Sequence, residues 1–216
     1  MCWSRRTPLS RSPPDRMLGT SGFTVWFTGL SASGKSTIAR LVADELRGRV
    51  GRVELLSGSE FRQNLSQGLG FSREDRIANI RRIGYVAKLL TRNGVAVVTT
   101  SISPYRAARD ECRQMIGRFV EVYVECPLDV CEARDTKGLY GRARRGAITS
   151  FTGISDPYEA PVHAEVVCHT ANEAPAECAA RVIAYLEVRG WIPEQRAETP
   201  TEAEFVRSQL RAFGDS

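Results

Sequence analysis

Phe23-Thr24-Val25-Trp26-Phe27-Thr28-Gly29-Leu30-Ser31-Ala32-Ser33-Gly34-Lys35-Ser36-Thr37 is the stretch on which the fold turns. Its first six residues are β-branched or aromatic, a strand pattern. Gly29 to Ser36 fits G-x-x-x-x-G-K-[ST], a loop that cradles phosphates. From Ile38 to Leu46 apolar residues recur at helical spacing. Strand, glycine-rich loop and helix form the context this motif needs. Gly29 and Gly34 let the backbone wrap an anion without a Cβ in the way, and the loop N–H groups and helix N-terminus face it. We therefore expect Gly29, Leu30, Ser31, Ala32, Ser33, Gly34, Lys35, Ser36 and Thr37 to hold ATP. Lys35 would reach the β- and γ-phosphates, and the Ser36 hydroxyl would join the Mg²⁺ shell.

The chain has 216 residues, enough for one α/β domain with a substantial core. No run of 18 apolar residues occurs, so no membrane helix is expected. Arg5-Arg6 precedes no apolar segment, which argues against a twin-arginine leader. Six cysteines lack any C-x-x-C pair, and His163 and His169 are the only histidines. Buried, reduced thiols in a cytoplasmic protein follow, rather than disulfides or a metal site. The net charge is +5, and only Lys35, Lys88 and Lys137 among the 30 basic residues are lysine. Twenty-five acidic residues are interspersed, so an anion-binding pocket is favoured over a nucleic-acid surface.

Residues 1–20 are rich in Ser, Pro and Arg and read as a disordered basic arm. Residues 21–193 alternate strand and helix. Strands are expected at Val53–Leu56, Val95–Thr100, Phe119–Val124 and Glu165–Cys168. Ser72-x-x-Asp75 opens a helix that runs to about Arg92 and closes at Asn93-Gly94. Ser103-Pro104 looks like an N-cap with proline at the first helical position, starting a helix to about Ile116. Further helices are expected at Pro127–Arg134 and Ala176–Glu187. Residues 136–160 hold many Gly, Arg and Thr with little periodicity and suggest a mobile lid. Residues 194–216 form a polar tail with a short helix near Glu202–Phe213. The alternation implies an α/β fold with a mainly parallel five-stranded sheet flanked by helices in three layers.

Downstream motifs resemble those of the adenylylsulfate (APS) kinase family. Gly70-Phe71-Ser72-Arg73-Glu74-Asp75-Arg76 is similar to its G-F-S-x-x-D-R segment. Asn79-Ile80-Arg81-Arg82-Ile83 and Ile102-Ser103-Pro104-Tyr105-Arg106 match N-I-R-R-I and I-S-P-Y-R. Arg134-Asp135-x-Lys137-Gly138-Leu139-Tyr140 and Phe151-Thr152-Gly153-Ile154-x-x-Pro157-Tyr158-Glu159 match the lid motifs. The resemblance runs from Phe23 to Trp191 and implies a P-loop kinase that phosphorylates the ribose 3′-hydroxyl of APS. It implies that Arg62, Phe71, Arg76 and Asn79 bind the acceptor nucleotide, with Phe71 and Phe151 stacking on its adenine and Ile102 and Ser103 lining its pocket. A catalytic set of Lys35, Ser103 and Lys137 follows. Ser103 matches a position sometimes described as a phosphoserine intermediate; with no obvious base beside it, pocket lining is favoured over covalent catalysis. Arg142, Arg144 and Arg145 fit either a phosphate-closing lid or a solvated basic loop, whereas Arg81 is expected to face solvent. ATP sulfurylase as a pathway partner and a homodimer are also expected.

Two positions depart from the family. Ser57-Gly58-Ser59 stands where the family has Asp-Gly-Asp, which removes both carboxylates beside the metal and the attacking hydroxyl. Thr149 stands where a lid lysine is usual. Glu60 is adjacent but one residue out of register, where it is expected to point elsewhere. Three readings follow: a slow APS kinase, a kinase redirected to another nucleotide-like hydroxyl substrate, and a non-catalytic nucleotide-binding partner.

Overall fold

A computed structural model describes residues 21–194. Five parallel strands alternate with helices along the chain. They are β1 (Phe23–Thr28), β2 (Val53–Ser57), β3 (Ala96–Thr100), β4 (Phe119–Glu125) and β5 (Val166–His169), in the spatial order β2-β3-β1-β4-β5. The sheet expected to be mainly parallel is wholly so. The helices are α1 (Lys35–Val50), α2 (Gly58–Asn64), α3 (Arg73–Arg92), α4 (Arg106–Ile116), α5 (Leu128–Ala133), α6 (Leu139–Arg144) and α7 (Pro175–Val188).

All six residues of β1 are buried, as befits a central strand covered on both faces. Val25 and Phe27 point to one core, shared with Ile38, Val42 and Leu46 of α1 and Val182 and Leu186 of α7. Trp26 points to the other, shared with Ile80 and Ile83 of α3 and Ala108 and Cys112 of α4. This alternation builds the three layers. The five described cysteines, Cys112, Cys126, Cys131, Cys168 and Cys178, are free and buried, as composition led us to expect.

Most boundaries shift by a residue or two. Ser72 caps α3 as expected, its hydroxyl accepting from Asp75 N at 3.1 Å. Helix α2 was not foreseen. The expected helix start at Ser103 is wrong: α4 begins at Arg106, its cap position is Tyr105, whose side chain makes no capping bond, and the Arg106 N–H donates instead to Glu159 Oε2 at 2.7 Å. Residues 136–160 are not without regular structure, because they contain α6, whose Tyr140 is fully buried. The arm and the polar tail lie outside the described residues.

Candidate active site

The carboxyl ends of β1 and β3, where the strand order reverses about β1, open into a cleft of about 1080 Å³. That is where ligands sit in open α/β sheets. One end is formed by the loop between β1 and α1. Gly29 has φ +151°, and a Cβ there would lie 2.5 Å from Val124 O, so the loop passes β4 only because this residue is glycine. Gly34 (φ +98°) and Ala32 (φ +56°) complete the reversal. Ser33 N turns inward to Leu30 O, and Thr37 N and Ile38 N donate to Gly34 O to close the first turn of α1. Earlier N–H groups of the helix have no acceptor within it.

Lys35 is buried, with its ammonium folded back on the loop, donating to Leu30 O and, at 3.4 Å, to Ser33 Oγ. Burial pushes its pKa from 10.5 down to about 8. Among the described residues it has no carboxylate partner. A buried cation without a counter-ion and the exposed Ser36 hydroxyl on the same wall, at the N-terminus of α1, form a donor set suited to a triphosphate and Mg²⁺. No cluster of three or more His, Cys, Asp or Glu able to hold a metal unaided occurs among the described residues. The ion would therefore rest on phosphate oxygens, water and Ser36.

The opposite end gathers Arg62, Phe71, Arg76, Asn79, Ile102, Ser103 and Phe151, every residue expected there. Phe71 is half-exposed, not a core ring. The Arg62 and Arg76 guanidinium carbons lie 4.4 and 5.5 Å from its centroid. Arg62 donates to Gly70 O at 3.0 Å. Arg76 is buried, donating to Phe71 O at 2.9 Å and to Ser150 O, with Asp156 3.6 Å away. Burial lowers both guanidinium pKa values, and Arg76 lowers that of Arg62 further. Two half-desolvated cations beside one aromatic face suit a planar anionic ligand. Asn79 is buried one helical turn from Arg76, and its Oδ1 has no protein partner. Arg81 faces solvent and pairs with Glu111, as expected of that helix face.

Ser103 sits at φ +45° and is buried. Its Oγ accepts from Trp26 Nε1 at 3.1 Å, so the hydroxyl anchors the turn after β3 rather than capping α4. Arg109 holds this turn from below: it donates to Ser103 O at 2.6 Å, to Glu159 O at 2.8 Å and to Glu121 Oε1 at 2.6 Å. Ser57 and Ser59 also line the cleft, their hydroxyl oxygens 2.8 Å apart. Glu60 is exposed and off the cleft wall, as its register led us to expect.

Over the cleft, Lys137 and Arg142 face the cavity, whereas Arg144 pairs with Glu132 and Arg145 is not on the wall. Tyr140 packs edge-on against Phe151, with centroids 5.0 Å apart, and donates its hydroxyl to Ser31 O at 2.9 Å. Sequence reasoning missed Arg40, Arg134, Thr170 and Glu173 on the wall. Arg134 donates to Thr170 O at 2.9 Å and Thr170 Oγ1 to Ser33 O at 2.9 Å, which props the phosphate-binding loop from β5. Arg134 was visible in a motif; Thr170 carried no local signal, because its contact spans 137 residues.

Residues 21–169 match the family model for adenylylsulphate kinase. An adenylyl-sulfate kinase of Synechococcus sp. (strain JA-2-3B'a(2-13)) is 57% identical over 171 residues, 79% of this chain and 98% of that one. A probable bifunctional SAT/APS kinase 2 of Sorangium cellulosum (strain So ce56) is 55% identical over 177 residues, 82% of this chain but 30% of that longer one. The Mycobacterium tuberculosis APS kinase, solved with AMPPNP and APS, superposes with a TM-score of 0.74 at 42% identity, covering 77% of this chain and 98% of that one.

Proposed function

The chain belongs to the adenylylsulphate kinase family, and we propose that it transfers the γ-phosphoryl group of ATP to the 3′-hydroxyl of adenylylsulfate, giving 3′-phosphoadenylylsulfate. The observation that carries this reading is the two-ended cleft: an uncompensated buried lysine in a phosphate loop at one end, and paired arginines beside a half-exposed phenylalanine at the other.

Gly29 to Thr37 bind the ATP phosphates, and Lys35 follows the charge that develops on the transferring group. Ser36 would hold Mg²⁺, which would supply positive charge against the ATP phosphates. Arg62 and Arg76 take the acceptor's anionic groups, Phe71 and Phe151 stack on its purine, and Asn79, Ile102 and Ser103 set its position. Lys137 closes over the phosphates from the segment 136–160. The engagement of Ser103 Oγ with Trp26 supports a lining role for it rather than a phosphoserine intermediate. Loss of two carboxylates at Ser57 and Ser59 bears on rate rather than on the reaction, because positioning and charge stabilisation supply most of phosphoryl-transfer catalysis.

The proposal extends to a homodimer in the cytoplasm, served by an ATP sulfurylase that makes the acceptor. The Sorangium relative, whose name joins SAT to APS kinase, supports that partnership. No helix among the described residues is long and apolar enough to cross a membrane. The test is incubation of the chain with ATP·Mg²⁺ and APS, scored for ADP release and product mass. A product heavier than APS by one phosphoryl group is expected. Turnover of other hydroxyl nucleotides with none of APS would overturn the assignment.

A further inference from the structure

Ser57 is the last residue of β2, in register with Thr100 of β3, and Gly58 opens α2 directly behind it. A Cβ on Gly58 would lie 2.8 Å from Thr100 O, so the chain turns tightly against β3. Ser57 occupies the cap position of α2, where a serine hydroxyl ordinarily accepts a backbone N–H. It does not do so here; its Oγ meets Ser59 Oγ at 2.8 Å instead. The two differ in setting: Ser57 is half-buried in the cleft wall and Ser59 is exposed. Both line the cleft, so a hydroxyl pair runs along its wall, with Ser59 the member open to water.

Among the described residues, the only carboxylates on that wall are Asp135 and Glu173, and both are engaged. Asp135 accepts from Lys137 N and Tyr140 N at 3.2 and 2.8 Å. Glu173 accepts from His169 N at 2.8 Å and is paired with Arg181 at 2.7 Å. Both carboxylates are thus already held by donors of the protein itself.

On the reading that this is an APS kinase, we infer that Ser57 and Ser59 form a proton relay that carries the acceptor's hydroxyl proton to water. The acceptor oxygen bonds to the γ-phosphorus as the bond from that phosphorus to the β,γ-bridging oxygen breaks. The bonding pair leaves on ADP. The acceptor proton passes to Ser57 Oγ, the Ser57 proton to Ser59 Oγ, and the Ser59 proton to water. Each serine ends neutral, and one proton is released per turnover. A hydroxyl is both donor and acceptor, so the transfer never requires a serine alkoxide. A loose transition state makes the attacking hydroxyl acidic only late, when a relay suffices and a strong base is not needed.

The test is rapid-quench single-turnover kinetics of the full chain with APS and ATP·Mg²⁺, comparing wild type with Ser57→Ala, Ser57→Thr and Ser59→Ala. Ser57→Ala should slow the transfer step by about 10²-fold, the lower end of what positioned proton transfer supplies, with the KM for APS within about threefold of wild type. Ser57→Thr, which keeps the hydroxyl, should recover most of the rate. Ser59→Ala should fall between, and the solvent deuterium effect should show three protons in flight in wild type and fewer in this variant. Ser57→Ala within twofold of wild type, or Ser57→Thr as slow as Ser57→Ala, overturns the relay while leaving the kinase assignment intact. A wild type that makes no product from APS overturns the assignment itself, and the relay with it.

Discussion

Tyr140 donates its hydroxyl to Ser31 O at 2.9 Å, and so α6 is pinned to the phosphate-binding loop. The ring is buried against Phe151, which also lines the cleft. One side chain therefore joins the phosphate-binding loop to the segment that carries Phe151. Tyr140→Phe removes only the hydrogen bond. It should lower unfolding free energy by about 0.5–1.5 kcal/mol and raise the KM for ATP more than that for APS. Hydrogen exchange should show residues 136–155 gaining protection when both nucleotides bind, with a smaller gain in the variant. Equal protection with and without ligands would contradict a closing segment.

Lys35→Ala should weaken ATP binding by roughly 10- to 150-fold, the worth of a hydrogen bond to a charged group. Calorimetry with equal affinity for both proteins would remove the phosphate-loop assignment.

The same lysine makes binding proton-linked. Its folded value near 8 lies below its ordinary 10.5. Its charged form therefore costs the empty protein stability below pH 8, and that cost fades as pH rises from 8 towards 10.5. Bound phosphates favour the charged form, so ATP binding should take up a proton near pH 8.5 and almost none at pH 6.5. Titration calorimetry in buffers of different ionisation enthalpy reads this directly. Lys35→Arg, charged throughout, should abolish the uptake.

Arg62→Ala and Arg76→Ala should each raise the KM for APS about tenfold or more, with ATP affinity within about twofold. Arg76→Ala should also destabilise the fold, because its guanidinium ties Phe71 O to Ser150 O. Arg62, with one backbone contact at 3.0 Å, should not. Melting temperatures alongside steady-state kinetics separate the two effects.

Restoring both acids, Ser57→Asp with Ser59→Asp, should raise kcat on APS by about 10²-fold, with a smaller change in KM. Loss of activity on APS would mean that the hydroxyls contact an acceptor which tolerates no negative charge there.

The fold was legible because the decisive signals are local. Phe23–Thr28 is apolar or β-branched throughout, and the glycine-lysine loop follows it directly. That Arg76 and Asn79 share a cavity was legible through motifs, because they sit one turn apart on α3 and line the same cleft. What failed depended on distant contacts. Ser103-Pro104 has the local chemistry of a helix start, yet Trp26, 77 positions away, claims the serine hydroxyl. Helix α2 begins with glycine and is only seven residues long, so its periodicity is too short to read. In α6, Tyr140 is buried by Phe151 and the phosphate loop rather than by a helical pattern of its own.

Arg109 has wider consequences than its place outside the cleft suggests. Its guanidinium spends all three nitrogens on different parts of the chain: β4 through Glu121, the turn at Ser103 and the segment at Glu159. A lysine has one nitrogen and cannot span these three. A change at Arg109 would slacken the acceptor wall without removing any group that meets substrate. In a kinetic screen it would pass for an active-site lesion, and in a sequence survey for a harmless swap of one base for another.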